Sequence, residues 1–507
     1  MNKVIRYGLW CFMLVLASCQ DFLEPKSQSE YVPELVQSLQ ELLLGTVYMG
    51  PGDGALTSVL SFADDDVARR PDLTNFEAGS ESTFEQVRLA FSWSDEMQLR
   101  LGNYNVYGTI YDKIVGCNAV LDYMDDVKGS KEDKDYVRAQ ALAMRAFYYY
   151  YLVNFYGKPY GADKDALGVP LKLTADLSTE SIARSTVKRV YDQMVEDLSE
   201  AEKLFANVSR ERQLQREGLV NLPMVDLLLS RIYLYMENWS EAMEYGEKVI
   251  NDFGISLLDL NVGMPGGSKS RDYFVKENPE VIFLFGDAYG TYAFAASRVD
   301  IYDGKNYFMN SIAVASDSLI KQYDRTDLRL DNYLYWEFPM DGTPPVYRLP
   351  FGKVACSYGS NFPNQGGTAW GGALRVAEAY LNVAEAAAML FKAQNDVTYL
   401  TKACNLMDRL RENRYRQGTY RTLDITAPDE LIRFVRDERR RELCFEFHRW
   451  FDLRRYGMDE MKHLWYDNSG NPVEYKLENN DPGFTLLIPQ EAFNLNHSLV
   501  QNEKRGK

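Results

Sequence analysis

Apolar residues recur at helical spacing through most of the chain. The first clear stripe is Leu35, Leu39, Leu42 and Leu43, the i, i+3, i+4 pattern of a single helix face. Tyr107, Ile110, Tyr111, Ile114, Ala119, Val120 and Tyr123 make a second. Lys131 to Tyr156 reads as one long helix that Gly157 and Pro159 end, the glycine as a left-handed cap and the proline as a residue that cannot continue. The run Tyr148 to Tyr151 covers all sides of that helix at about 100° per residue, so at least half of it belongs to the core.

Two helix pairs follow. Thr186 to Phe205 carries Val190, Met194, Val195 and Leu198 on one side, and Val220 to Glu237 is separated from Trp239 to Ile250 by Asn238 alone. Leu229, Tyr233, Trp239 and Ala242 fall at spacings like those of a tetratricopeptide helix-turn-helix unit, where a small residue lets two helices approach closely. The matching pair comes much later, at Leu374 to Lys392 and Asp396 to Arg414. Between them glycines and prolines, from Gly263 through Pro344 and Pro345 to Gly372, break every helical period over 261–372. The expectation is a mostly α chain of tetratricopeptide-like helix pairs, with helical parts at 19–260 and 373–507 and an irregular loop-rich subdomain between them. Loops on a rigid scaffold are where binding residues concentrate.

The first twenty residues stand apart. Lys3 and Arg6 precede the apolar run Leu9 to Ala17, which is too short for a membrane span of about 20 residues and suits a signal-peptide core. Leu16-Ala17-Ser18-Cys19 then has the lipobox pattern, in which small residues fit the peptidase and the thiol receives lipid. The leader is expected at 1–18, with Cys19 as the lipidated mature N-terminus. Acyl chains, at about 0.8 kcal/mol per buried CH₂, would attach the chain to a membrane that its acidic surface does not favour.

A formal net charge of -17 excludes a generalised phosphate-binding surface, and nucleic acid with it. His448, His463 and His497 are the three histidines, too far apart in sequence for a histidine-based metal site. No C-x-x-C pair is present, so Cys117, Cys356, Cys404 and Cys444 read as isolated thiols or at most one disulfide. Asp64-Asp65-Asp66 lacks the alternating ligands and glycine of a calcium loop, and no phosphate-binding loop or serine elbow occurs. No cofactor is expected. The composition stands out in its aromatic content, with 35 Tyr, 25 Phe and 7 Trp.

Arg433 to Arg455 is dense in charge. Glu438, Glu442 and Glu446 fall at i, i+4 spacing along one predicted helix face with arginines beside them. A carboxylate pair for glycoside hydrolysis would need one raised pKa. Apolar neighbours such as Leu443, Phe445 and Trp450 instead imply burial, and so many guanidinium groups lower carboxylate pKa values. A structural ion network is therefore the expectation.

Several segments form a combined pattern: Cys19 with Asp21-Phe22-Leu23, Arg145 to Tyr149 leading to Tyr156-Gly157-Lys158-Pro159, and Arg375 to Leu381 running into Ala384-Glu385-Ala386. Glu438 to Glu446, His448 to Arg455 and the tail Leu487 to Glu491 with Asn494 to Asn502 complete it. Together they resemble the SusD/RagB outer-membrane nutrient-binding lipoproteins of Bacteroidetes. Phe447 stands where the family usually has glycine, and His497 where the tail often has proline. The resemblance implies a tetratricopeptide-like fold with an irregular ligand-binding face. It also implies a non-catalytic surface protein that passes oligosaccharides to a SusC-like TonB-dependent transporter in the outer membrane. Some relatives bind peptides instead, and a surface glycoside hydrolase is the enzymatic alternative.

The resemblance transfers no ligand residues, so the candidates come from physics. Sugar rings present C–H faces that stack on Trp and Tyr, while their hydroxyls need Asp, Asn or Arg. Loop aromatics beside such groups are Trp93 (with Asp66, Arg69 and Arg70 on the preceding loop), Tyr292, Tyr302 next to Asp303, Tyr307, and Trp336 after Asn332.

Overall fold

The structure, a computed structural model, describes residues 33–505 apart from several stretches, the longer ones at 73–80, 98–104, 266–272, 288–297, 337–343 and 354–369. The leader, Cys19, Tyr292, Asp303 and Cys356 lie outside the described residues.

The principal helices are α1 (Val36–Leu42), α2 (Glu81–Phe91), α3 (Val106–Tyr123), α4 (Lys131–Tyr156), α5 (Val187–Phe205), α6 (Leu222–Tyr235) and α7 (Trp239–Asn251). The short α8 (Arg329–Asn332) lies in the insertion, and α9 (Val376–Gln394), α10 (Val397–Glu412), α11 (Pro428–Leu443) and α12 (Arg449–Tyr456) follow it. Polar caps start many of them. Asn105, Ser130, Thr186, Asn221 and Asp396 each accept a hydrogen bond from a backbone N–H of the first turn, which would otherwise lack a partner.

Consecutive helices pack side by side in the order α3, α4, α5, α6, α7, α9, α10, with α11 also against α9. The insertion interrupts the sequence between α7 and α9 but not the stack. Close approach is obtained with small residues: Ala242 is fully buried and its carbonyl accepts from Ser230 Oγ at 2.8 Å. A side chain at Gly246 would place its Cβ 2.5 Å from Val383, so only glycine lets α7 sit this close to α9.

The core is aromatic and pinned by buried polar links. All four tyrosines from Tyr148 to Tyr151 are buried, beyond the half required by helix geometry. Tyr149 accepts from the Lys172 amide at 2.8 Å, and Phe147 meets Tyr151 edge-on with ring centroids 5.1 Å apart. Arg145 forks onto Asp197 at 2.8 and 2.6 Å, joining α4 to α5, and Arg231 forks onto Glu378 at 2.6 Å on both arms, joining α6 to α9.

Gly157 corrects one expectation. It ends α4 in an extended conformation (φ -109°, ψ 162°) and is not a left-handed cap. Glycine is required there for space, because a Cβ would lie 2.8 Å from the Val153 carbonyl oxygen.

The strands are β1 (Val67–Arg69), β2 (Leu167–Pro170), β3 (Arg184–Thr186), β4 (Val281–Asp287), β5 (Arg298–Tyr302), β6 (Tyr307–Ser311), β7 (Ala313–Ala315), β8 (Tyr335–Trp336), β9 (Arg348–Leu349), β10 (Trp370–Arg375), β11 (Met461–Tyr466) and β12 (Pro472–Leu477). They form antiparallel pairs β1–β7, β2–β3, β4–β10, β5–β6, β8–β9 and β11–β12. The segment read as loop-built thus contains short hairpin-like pairs, and Val281 to Leu284 of β4 are core residues. The β10 strand runs directly into α9, and that junction attaches the insertion to the helical stack. Cys117, Cys404 and Cys444 carry free thiols. No helix among the described residues is long and apolar enough to cross a membrane.

Candidate ligand-binding site

The charged cluster explains how the insertion is held. Glu438 and Glu442 share a face of α11, but the helix ends at Leu443 and Cys444 is extended, so Glu446 is not on that face. The chain turns there through Phe445 and Phe447, both in the left-handed region at φ +59° and +62°. A left-handed backbone is the conformation that favours glycine, and Phe447 adopts it with a full side chain. Within the turn, Glu446 accepts from Arg375 and Lys353.

Glu442 is the hub of this cluster. Its oxygens accept from Arg414 Nε at 2.9 Å, from Arg375 Nη1 at 3.0 Å, from Arg329 Nη1 at 3.0 Å and from the Tyr333 hydroxyl at 3.1 Å. Burial alone would push the Glu442 carboxyl up, but the guanidinium groups of Arg414, Arg375 and Arg329 override it and hold the group well below the usual range. Glu438 is lowered in the same way, against its burial, by Arg329, Arg441 and Arg411. Neither carboxyl has the raised pKa of a general acid.

The Asp64-Asp65-Asp66 run is likewise engaged by arginine. Asp65 takes a forked pair of bonds from Arg449 at 2.6 and 2.9 Å, and Asp66 accepts from Arg440 Nε at 2.7 Å. Among the described residues no group of His, Cys, Asp and Glu is arranged to hold a metal ion.

These placements put three of the sequence candidates inside the fold. Trp93 is 1% exposed, its indole N–H donates to the Ala63 carbonyl at 2.7 Å, and its ring stacks on His463 at 4.2 Å, so it offers no face to a ligand. Asp66 is buried under Arg440, and Arg70 is buried with both forks on Asp72 at 2.8 and 2.9 Å. They act as structural supports. Arg69 is also buried, beneath the rings of Phe84 and Trp465.

Trp336 is placed differently, with 41% of its surface open to solvent. It lies directly opposite Arg348 in the β8–β9 pair, and the Arg348 guanidinium sits over its ring at 4.1 Å. Arg348 is buried and fixed by the Leu334 carbonyl at 2.8 Å and by Asp331 Oδ1 at 3.1 Å. The whole unit hangs from α8. Arg329 is clamped by Asp327 and Glu442, and Tyr333, three residues before Trp336, reaches Glu442. An ion network in the helical scaffold thereby orients an aromatic ring at the surface.

The residue before Arg348 repeats the arrangement. Half-buried Tyr347 has the Arg70 guanidinium 4.6 Å from its ring centre, and Tyr347 hydrogen-bonds Asp72. Burial would raise the Asp72 carboxyl, but the bonds and charge of Arg70 hold it below its ordinary value, so it is ionised at neutral pH. The structure therefore brings together Trp336 and the support Arg70 through a bridge, Tyr347-Arg348, that sequence reasoning missed. Its signal was the rigid Pro344-Pro345 pair placing an aromatic and a basic residue at a loop end. Tyr302 and Tyr307 are direct partners at the end of the β5–β6 pair, and Asn332 turns its amide inward to the Leu328 carbonyl.

Stacked helix pairs interrupted by a long insertion define a tetratricopeptide-like helical fold. The chain belongs to the SusD family. A family model described as starch-binding associating with outer membrane matches residues 21–234, and the SusD family model matches 350–504. The chain is 24% identical over 473 residues to SusD-like protein P2 of Formosa agariphila, covering 86% of this chain and 83% of that one. Its fold is similar to that of a SusD-like carbohydrate binding protein from Bacteroides vulgatus, with a TM-score of 0.67 and 19% identity over 92% of this chain and 98% of the other. A SusD superfamily protein from Bacteroides thetaiotaomicron is similar with a TM-score of 0.66 and 20% identity, over 92% and 98% of the two chains. SusD-like proteins are carbohydrate-binding and associated with the outer membrane.

Proposed function

We propose that the protein is a surface lipoprotein, anchored through Cys19, that captures oligosaccharides without cleaving them and delivers them to a SusC-like TonB-dependent transporter. The observation that carries this reading is the exposed Trp336 ring, backed by the Arg348 guanidinium and locked to the helical scaffold through Arg329 and Tyr333. A flat ring presented this way suits the C–H face of a sugar, and the nearby Asp331 carboxylate can accept hydroxyl protons. The non-catalytic part is supported by the low pKa and full burial of Glu438 and Glu442, the carboxylates that a hydrolase reading would use.

Isothermal titration against a glycan panel tests the capture step, with recovery of intact ligand after long incubation testing the absence of turnover. Binding to peptides and to no oligosaccharide would overturn the glycan reading in favour of a RagB-like peptide-binding role. Co-purification from outer membranes tests the transporter, and metabolic labelling with a fatty acid, abolished by Cys19→Ala, tests the anchor.

A further inference from the structure

We infer that the site takes neutral glycans and rejects uronic-acid and sulfated ones. This rests on the glycan-capture reading and specifies its ligand class. It comes from an asymmetry repeated in two adjacent units. In the first, Arg348 stacks on Trp336 and pairs with Asp331; in the second, Arg70 stacks on Tyr347 and pairs with Asp72. Each arginine side chain is nearly sequestered, at 8% and 6% exposure, whereas the carboxylates are open at 73% for Asp331 and 52% for Asp72.

Guanidinium groups on a protein surface ordinarily recognise carboxylates and sulfates by forked hydrogen bonds. Here those forks are turned inward. Arg70 spends Nε and Nη2 on the two oxygens of Asp72, and Arg348 spends its terminal nitrogens on Asp331 and on the carbonyls of Leu330 and Leu334. What a ligand meets instead is two exposed carboxylate groups beside aromatic and aliphatic surface, including Val346 at 70% exposure. A neutral sugar can donate hydroxyl protons to those oxygens while its ring rests on Trp336. A uronate or sulfate ester would bring a like charge against Asp331 or Asp72, with the chain's net charge of -17 adding repulsion at longer range.

The test is isothermal titration of the full-length chain against matched neutral and acidic oligosaccharides, namely gluco-, xylo- and manno-oligosaccharides against oligogalacturonates, alginate oligomers and sulfated galactans, at low and high salt. The expected result is binding to at least one neutral class, with every acidic class bound at least about tenfold more weakly at low salt, a gap that narrows as salt screens the repulsion. Asp331→Asn and Asp72→Asn, confirmed folded by thermal melting, should each narrow the gap at low salt. Preferential binding of an acidic class, or a gap unchanged in both variants, overturns the inference while leaving glycan capture intact. Failure to bind any oligosaccharide overturns the capture reading itself.

Discussion

The Tyr333 hydroxyl donates to Oε1 of Glu442 at 3.1 Å, joining two residues 109 positions apart in sequence. One turn earlier, Arg329 reaches the other oxygen of the same carboxylate at 3.0 Å. The segment carrying Trp336 therefore derives its position from α11. Replacing Arg329 with Met leaves Asp327 and Glu442 buried without their shared cation, a change expected to cost about 3–5 kcal/mol in urea unfolding. Tyr333→Phe removes one bond to a charged group and should cost about 1.5–3 kcal/mol, while also weakening glycan binding in the folded protein. Unchanged affinity in a folded Tyr333→Phe variant would show that the tether does not orient the ring.

Two tryptophans read alike in sequence part company in the fold, and truncating each separates their roles. Trp93→Ala opens a cavity beside His463 and should destabilise the chain by about 3–5 kcal/mol, leaving glycan affinity unchanged in whatever remains folded. Trp336→Ala removes an exposed ring, so the melting temperature should stay nearly constant while affinity falls at least about tenfold. Loss of binding in a folded Trp93 variant, or full binding after removal of Trp336, would reverse the assignment.

These outcomes mark what the sequence could and could not convey. The helix pairs were legible because their apolar spacing repeats locally, and α4 has the bounds that its pattern predicts. The packing of α7 on α9 was half legible. Ala242 was read as the small contact residue, but Gly246 was not, because nothing local says that Val383 will lie 2.5 Å from where its Cβ would be. The site was harder. Whether an aromatic residue in a loop faces water depends on partners hundreds of positions away, as with Arg440 covering Asp66 and His463 covering Trp93. Local composition placed Trp93 and Trp336 in the same class, and only long-range pairing distinguishes them.

Glu237 offers a test of backbone strain. It follows α6 at φ +60°, in the left-handed region, with an exposed side chain. A left-handed conformation costs a non-glycine residue about 1–2 kcal/mol, part of which glycine returns through its larger unfolded-state entropy. Glu237→Gly should therefore stabilise the chain by about 0.5–1 kcal/mol, read as a higher urea midpoint with an unchanged denaturant slope. A lower midpoint would mean that the Glu237 side chain makes a contact worth more than the strain.

Acid should unfold the protein in two stages set by different groups. Glu385 is fully buried on α9, and although burial works to raise its carboxyl, Arg455 and Arg436 lower it to about 2. Arg455 donates to both oxygens, at 2.7 and 2.6 Å. A carboxyl lower in the folded state than in the unfolded chain contributes stability that is complete above the unfolded value, about 4.3, and is lost as pH falls toward 2. The contribution is about 3 kcal/mol. His448 acts at higher pH. Burial first, then the charges of Arg231, Arg439, Arg375 and Lys353, push its imidazole well below the usual value, so it is neutral when folded. The unfolded chain takes up that proton near pH 6.5 and the folded chain does not, so stability declines as pH drops below 6.5. Urea midpoints measured from pH 8 to 3 should thus begin to fall below about 6.5 and fall more steeply below about 4.5. His448→Gln should reduce the first decline, buried His463 accounting for what remains, and Glu385→Gln should reduce the second. If both variants keep the parent slope in their respective windows, acid sensitivity resides in other groups.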